Sequence, residues 1–155
     1  MATWKFRGLD TYLAKLESLS DNSEDYVKRA IYKGAGVVAD QISGALSGIQ
    51  TADPDHYYHK GEVQPGPKPD EKAAIIGAFG LARMKQEGSA ITTKAGFGNG
   101  TYNGTKITTL ARRLESGTSW QRKQPVIRQA ANRSKAAAEE AMRVELEKQI
   151  REIMN

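Results

Sequence analysis

The sequence contains no cysteine among its 155 residues. Disulfide staples and thiolate metal sites are therefore excluded, and the composition fits a protein made in a reducing cytoplasm. Long apolar runs are also missing: no stretch near the N-terminus has signal-peptide length, and no window approaches the roughly 18 apolar residues that span a bilayer. We therefore expect a soluble protein without a membrane segment, and at this length one domain, residues 1–155.

Histidine is scarce, since the chain has two histidines, and both lie in one proline-containing stretch. With no Ser/His/Asp or Cys/His arrangement visible, acid–base catalysis near neutral pH has few available groups. Asp53, Asp55, His56 and His59 are of types that bind first-row metals, but a proline-interrupted loop does not hold four ligands in fixed geometry. We interpret them as a polar surface loop, and we expect neither an enzyme nor a cofactor.

The N-terminal third carries helical periodicity. Leucines and Tyr12 recur at three- and four-residue steps and predict a helix over residues 9–19. A second helix is predicted from Ser23, a good N-cap, to about Gly48. Gly34 and Gly36 inside it cost roughly 1 kcal/mol each relative to alanine, so we expect another backbone, from the same chain or from a neighbouring subunit, to approach closely there.

Periodicity disappears from Gly48 to Pro69, where four of the five prolines fall. Loops of this length without structure of their own are usually functional or ordered by a partner. We predict a flexible loop over residues 48–69, with Tyr57, Tyr58 and Lys60 as anchors for a neighbouring molecule.

The middle of the chain reads as a helix followed by a hairpin. A short helix is predicted from an Asp70 N-cap to a stop at Gly80. Strands are predicted over residues 81–85 and 89–97, with further turns at 98–100 and 103–104. The glycines at 96, 98, 100 and 104 match neither a dinucleotide fingerprint nor a Walker loop, so hairpin turns explain them better.

The segment from Ile107 to Ala131 is the most informative part of the chain. Leu110 and Leu114 lie one helical turn apart, and Gly117 follows the last periodic residue, where helices commonly end. A turn then leads to Pro125, whose fixed φ suits the first turn of a new helix, predicted over residues 125–154. These elements predict an α+β fold: a small antiparallel sheet packed by two N-terminal helices and a long C-terminal helix.

This arrangement resembles the tail-completion or neck family of long-tailed bacteriophages, in the form found in phages of Gram-positive hosts. The family's hallmark is an acidic residue before a Gly-Thr or Gly-Ser pair, then a proline that opens the C-terminal helix. Here those positions are Glu115, Gly117, Thr118 and Pro125. The order of elements along almost the whole chain is also similar, but Val126 stands where the family often has an aromatic residue.

The resemblance implies a structural virion protein at the head–tail joint, assembled in the host cytoplasm. It implies a homo-oligomeric ring, with sixfold symmetry as the expected form, around the DNA channel. The expected neighbours are a head-completion or connector protein and a tail-terminator or tail-tube protein, with non-specific proximity to packaged DNA. The motif residues expected at an interface are Glu115, Gly117, Thr118, Ser119, Trp120 and Pro125.

The net charge of +5 is concentrated in one segment. Between residues 112 and 135 the sequence has seven cations and one acid, whereas residues 139–152 have five acids and three cations. This order is the reverse of what a helix macrodipole favours, which points to an acidic neighbour or a phosphate backbone as the partner. A basic nucleic-acid-binding module is therefore the alternative function. Its surface would comprise Arg112, Arg113, Arg122, Lys123, Arg128, Arg133 and Lys135.

Trp120 admits two interpretations of similar weight. Together with Arg122 and Lys123 it forms an aromatic and cationic cluster that could anchor an interface or stack on bases. Alternatively, its ring caps the core beneath the Gly-Thr turn.

Overall fold

The computed structural model describes residues 3–4, 23–88 and 90–154, and it confirms an α+β fold. Four helices are described: α1 (Ser23–Ser47), α2 (Pro69–Ala78), α3 (Ile107–Ser116) and α4 (Val126–Met154). The strands are β1 (Thr3–Trp4), β2 (Phe79–Leu81), β3 (Lys85–Glu87), β4 (Ala90–Phe97), β5 (Thr101–Tyr102) and β6 (Thr105–Lys106). The helix predicted over residues 9–19 lies outside the described residues.

Strand β4 organises the larger sheet. It pairs with β1 in antiparallel register, and β2 and β3 also pair with β4. Residues 82–84 between β2 and β3 are irregular, so the single strand predicted over residues 81–85 is wrong in its bounds. The reason is a register shift: Lys85 pairs with Thr92, whereas the N–H of Ala82 donates to the carbonyl of Lys94. A chain that pairs with β4 in two registers must break between them.

The second, two-stranded sheet joins β5 to β6 through a tight turn. Asn103 and Gly104 both have positive φ, at 48° and 77°. Two consecutive residues with positive φ match the right-handed twist of a short hairpin, and Asn-Gly is the preferred pair for it. The turn predicted at residues 103–104 is therefore confirmed.

Residue contacts divide the chain into two compact units. The first comprises residues 1–39, 81–95 and 134–155, and the second comprises residues 40–80 and 96–133. In the first unit, apolar side chains of α1, β4 and α4 form one buried cluster, with Met84 and Ile150 packed against it. The buried members are Val27, Ala30, Ile31, Ile91, Met142 and Leu146.

In the second unit, α2 packs on α3. Helix α2 begins at Pro69, with Lys68 at the cap position, so the prediction of Asp70 as the N-cap is wrong. Proline suits the first helical position because its missing N–H has no helical partner there. Asp70 instead lies in the first turn, where its charge favours the helix dipole. The helix ends at Ala78, two residues before the predicted stop at Gly80.

Of the two glycines singled out in α1, Gly34 meets another backbone within the part of the chain that the structure describes. A Cβ at Gly34 would lie 2.6 Å from the Cγ of Met142 and 3.1 Å from the carbonyl oxygen of Ala138 in α4. Among the described residues, Gly36 has no such neighbour within 4 Å. The close approach predicted at Gly34 is therefore confirmed and lies within the first unit, whereas at Gly36 an approach by a neighbouring subunit stays a prediction.

This difference leads to a stability prediction for α1. Gly34→Ala should lower the free energy of unfolding by about 1–2 kcal/mol, because α4 must shift to admit the methyl group. Gly44→Ala is the matched control, because Gly44 is an exposed α1 residue whose Cβ would meet no described atom within 4 Å. It should raise the free energy of unfolding by about 0.5–1 kcal/mol through helix propensity. Urea denaturation measures both, and a stabilising Gly34→Ala would contradict the packing of α1 on α4.

Among the described residues, no helix is both long enough and apolar enough to cross a membrane.

Candidate functional site

The motif that carries the family resemblance forms the connector between α3 and α4, residues 117–125. Glu115 lies near the end of α3, and its side chain reaches across the connector to the start of α4. Its Oε1 accepts a hydrogen bond from the N–H of Ile127 at 2.6 Å, and its Oε2 accepts from Arg128 at 3.4 Å. The first N–H groups of a helix lack partners within the helix and carry partial positive charge. Glu115 therefore caps α4 from outside.

This cap accounts for part of the unusual charge order of α4. The first turn of α4 contains no acidic residue. The anion that the helix dipole favours comes instead from Glu115, a residue of the preceding helix. The sequence does not indicate that Glu115 caps α4, because a residue eleven positions before the start of a helix is not a recognised capping position.

Gly117 makes the sharp exit from α3 possible. It has a φ of 72° and a ψ of 172°, a combination that residues with a Cβ rarely adopt. Its N–H donates to the carbonyl of Arg113 and closes the helix at 2.8 Å. The helix end predicted at Gly117 is confirmed, and its ψ lies outside the left-handed helical region. Lys123 lies so close to Gly117 that a Cβ built on Gly117 would lie 3.0 Å from the backbone nitrogen of Lys123.

Thr118 fixes the turn that follows. Its N–H donates to the carbonyl of Gln121, and its Oγ1 accepts from the N–H groups of Trp120 and Gln121 at 3.3 and 3.0 Å. These bonds hold the backbone of residues 118–121 in one conformation. Ser119 lies at the exposed tip of the same turn.

The buried side chain of this turn is Gln121 and not Trp120. Gln121 is 2% exposed, whereas Trp120 is 41% exposed. The interpretation of Trp120 as a core cap is therefore wrong. The guanidinium of Arg113 lies 5.5 Å from the centroid of the indole ring, a cation–π distance. The turn thus presents a fixed, partly exposed aromatic side chain beside a cation.

The connector is also bonded to the proline-rich loop. The N–H of Gln64 donates to the carbonyl of Trp120 at 2.7 Å, and the N–H of Arg122 donates to the carbonyl of Gln64 at 2.8 Å. These two bonds form a parallel bridge between Gln64 and Gln121. The C-terminal half of the loop is therefore hydrogen-bonded to the turn that holds Trp120 at the surface.

Gln124 fastens the base of the loop. Its amide accepts from the N–H of Gln50 at 2.8 Å and donates to the carbonyls of Gln50 and Pro65 at 2.9 and 3.2 Å. Gly66 is buried beside Gln124. A Cβ built on Gly66 would overlap the carbonyl oxygen of Gln50. Sequence reasoning missed Gln50, Gln64, Gly66 and Gln124, because their partners lie far away in the chain and no local pattern marks them.

The tip of the loop holds together through its own side chains. The N–H of Asp53 donates to the Tyr58 hydroxyl at 3.0 Å, and His56 Nε2 lies 2.9 Å from Glu62 Oε2. The His56 hydrogen bond holds the pKa of the Glu62 carboxyl below its ordinary value. Tyr57 is 77% exposed and packs edge-on against His59. Of the predicted loop contacts, Tyr57 and Lys60 are exposed, whereas Tyr58 is half-buried.

The acidic and imidazole groups of this tip form no metal cluster. Asp53 Oδ1 accepts from the N–H of Asp55, and His56 is engaged with Glu62. Throughout the described ranges, no three His, Asp or Glu side chains are placed to hold a metal ion. A groove of about 400 Å³ lies in the first unit along α1, and none of the predicted site residues lines it.

The predicted basic surface divides between the two units. Arg112, Arg113, Arg122, Lys123, Arg128 and Arg133 belong to the second unit, and Lys135 belongs to the first. All are exposed except Arg113, which is half-buried beside Trp120. No salt bridge within the described residues involves any of the seven. Their positive charge is therefore available to an anionic partner.

The Glu115 cap can be tested through stability. Glu115→Ala should lower the free energy of unfolding by about 1–2 kcal/mol, because it leaves the N–H groups at the start of α4 without their partner. Glu139→Ala is the control, since Glu139 is exposed on the same helix. It should change stability by less than about 0.5 kcal/mol. Equal effects of the two substitutions in urea denaturation would contradict the capping function.

Comparison of the chain with protein-family models, with curated proteins and with solved structures found no match.

Proposed function

We propose that the protein is a structural component of a phage or prophage virion that acts at the joint between head and tail. The observation that carries the proposal is the connector between α3 and α4. The motif residues of the family resemblance, Glu115, Gly117 and Thr118, are the ones that cap α4, terminate α3 and fix the turn. A motif whose members share one structural task supports the resemblance more strongly than its letters alone.

The connector also holds aromatic side chains at the surface, where they can form an interface. It holds Trp120 at the surface, and it fastens a loop that carries the exposed Tyr57. Exposed aromatic side chains on a fixed backbone lose little conformational freedom when they bind, and Trp, Tyr and Arg dominate interface energetics. In this proposal, the chain forms a ring around the DNA channel and contacts a head-completion or connector protein and a tail-terminator or tail-tube protein. No catalytic step is involved.

The loop provides the first test of this proposal. Its base is fastened by Gln124 and Gln64, so we expect mobility in the tip, residues 53–63, and not along all of residues 48–69. Trypsin should cut the free protein after the exposed Lys60, while assembled particles should resist. Cleavage at equal rates in both states would contradict a role for the tip at an interface.

A loop variant extends the test to assembly. Replacement of residues 54–61 by a short Gly/Ser linker should leave the helical circular-dichroism signal intact while tails fail to join heads. Ala73→Ser, at an exposed position of α2, is the matched control and should join normally. Joining at wild-type yield without the tip would move the interface to another surface.

Nucleic-acid binding is the second candidate function, and the unpaired cations of the second unit favour it. A nucleic-acid site would bind duplex DNA with a steep salt dependence, since each neutralised phosphate contributes about −0.9 to the slope. The proposed head–tail function predicts only weak binding by the free protein. Fluorescence anisotropy with a short duplex distinguishes the two, and a nanomolar complex at physiological salt would favour the nucleic-acid function.

A further inference from the structure

The sequence has two Asn-Gly pairs, Asn99-Gly100 and Asn103-Gly104, which lie on either side of β5. All four residues are exposed. In an Asn-Gly pair the backbone nitrogen of the glycine readily attacks the asparagine side chain, because glycine has no Cβ to hinder the approach. Since the two pairs share this chemistry, a difference in their reactivity must come from the backbone that holds them.

The attack needs one particular arrangement of the asparagine backbone. The glycine nitrogen must reach Cγ of the asparagine, and the two atoms then close a five-membered ring. The ring closes only when Cβ and that nitrogen lie on the same side of the Cα–C bond. Because the peptide bond itself is planar, the asparagine ψ decides whether this arrangement can be reached.

The hairpin turn holds Asn103 away from this arrangement. Asn103 and Gly104 have φ values of 48° and 77°, and they connect two paired strands. These are the features of a type I′ turn, whose first central residue has a ψ of about +30°. At that ψ the glycine nitrogen lies nearly opposite Cβ. Ring closure at Asn103 would therefore require a rotation that separates Tyr102 from Thr105, its partner across the hairpin.

Asn99 is not held in such a turn. It lies in an irregular bend between β4 and β5, and its φ is not positive. The backbone is bonded on either side of it, at the N–H of Gly98 and at the carbonyl of Gly100. Within the part of the chain that the structure describes, neither the Asn99 side chain nor the N–H of Gly100 forms a hydrogen bond. The reacting atoms can therefore approach each other without breaking one.

We infer that Asn99 is a site of spontaneous deamidation and that the hairpin turn protects Asn103 from the same reaction. Hydroxide removes the proton of the Gly100 nitrogen, which then attacks Cγ of Asn99 and forms a C–N bond. The side-chain nitrogen takes up a proton from water and leaves as ammonia. Water then opens the cyclic imide at either carbonyl, which gives aspartate or isoaspartate at position 99. The inference goes beyond the proposed function and does not rest on it.

The modification would act on the start of α3. The carbonyl of Gly100 accepts a hydrogen bond from the N–H of Ile107 at 3.0 Å, and Ile107 is the buried first residue of that helix. Isoaspartate at position 99 adds a methylene group to the main chain next to Gly100, and either product adds a negative charge. The reaction therefore alters the segment that holds the first N–H group of α3.

Mass spectrometry tests the inference, because trypsin releases both pairs in one peptide, residues 95–106, bounded by Lys94 and Lys106. The folded protein is kept at mildly alkaline pH, and samples taken over time are digested. Fragment ions then locate the mass gain that accompanies replacement of an NH2 group by OH. Conversion at Asn99 should be at least about tenfold faster than at Asn103, which corresponds to about 1.4 kcal/mol for opening the turn. Equal rates at the two positions, or no conversion at Asn99, would overturn the inference.

Two controls assign the difference to the fold. In urea the turn is lost, so Asn99 and Asn103 should convert at similar rates; a tenfold difference that persists there would overturn protection by the turn. Gly100→Ala should slow conversion at Asn99 severalfold, because the methyl group hinders the attacking nitrogen. A Cβ at Gly100 would lie 3.6 Å from Cγ1 of Ile107, an ordinary contact that the fold tolerates. Gly104→Ala is the matched variant and should leave conversion at Asn99 unchanged; equal slowing by both variants would contradict the attack by the Gly100 nitrogen.

Discussion

Gly117→Val should unfold the connector and lower the free energy of unfolding by about 3 kcal/mol, since two penalties act at one residue. The first is conformational: a β-branched residue does not tolerate the φ of 72°. The second is steric: the added Cβ would lie 2.9 Å from the Cβ of Lys123 and 3.0 Å from its nitrogen. Relief of either requires residues 117–123 to move, which displaces the start of α4.

The matched control for this substitution is Gly104→Val. Gly104 has a similar φ of 77°, but no heavy atom of the residues that the structure describes lies within 4 Å of its Cβ position. It should therefore show the conformational penalty alone, about 1–2 kcal/mol. Urea denaturation compares the two variants. Equal losses would show that Lys123 does not fold back on Gly117, and an unchanged Gly117→Val protein would contradict the whole turn.

Gly66→Ala should have an effect of similar size at the base of the loop. The added methyl carbon would lie 1.9 Å from the carbonyl oxygen of Gln50 and 2.7 Å from Nε2 of Gln124. Because backbone atoms block the space, the segment must separate from Gln124, and we expect a loss of about 3 kcal/mol.

The control for Gly66→Ala is Gln124→Ala, which removes the side-chain bonds without adding a clash. It should cost less, about 1–2 kcal/mol. Hydrogen exchange at the N–H of Gln50 reports directly on this fastening, because that group donates to Gln124 Oε1. Unchanged protection of Gln50 in Gln124→Ala would contradict the fastening.

Local patterns were sufficient for the regular elements. The periodic apolar residues of α1 and α4, the Gly117 stop and the Asn103–Gly104 turn all act through neighbours within a few positions, so the sequence displays them. Strand bounds failed at residues 82–84, because the break depends on two registers along β4 and not on any residue in the break. Lys68 displaced Asp70 as the cap because Pro69 is pre-organised for the first helical position.

The hydrogen bonds of the connector could not be predicted from the sequence. The resemblance identified Glu115 and Gly117, but it did not indicate that Glu115 caps α4 across the connector. Of the two interpretations of Trp120, the core cap is wrong, because the Thr118 bonds orient the turn so that the Gln121 side chain is buried and Trp120 is exposed. Gln124 reaches Gln50 across 74 residues, a separation at which no sequence pattern operates.

Electron microscopy of particles made without this protein tests the proposed head–tail joining most directly. The genome that encodes the chain is induced with the gene deleted, and the lysate is compared with one in which the wild-type gene is supplied in trans. The account predicts DNA-filled heads and separate tails in the first lysate and complete virions in the second. Complete virions at normal yield without the protein would contradict it.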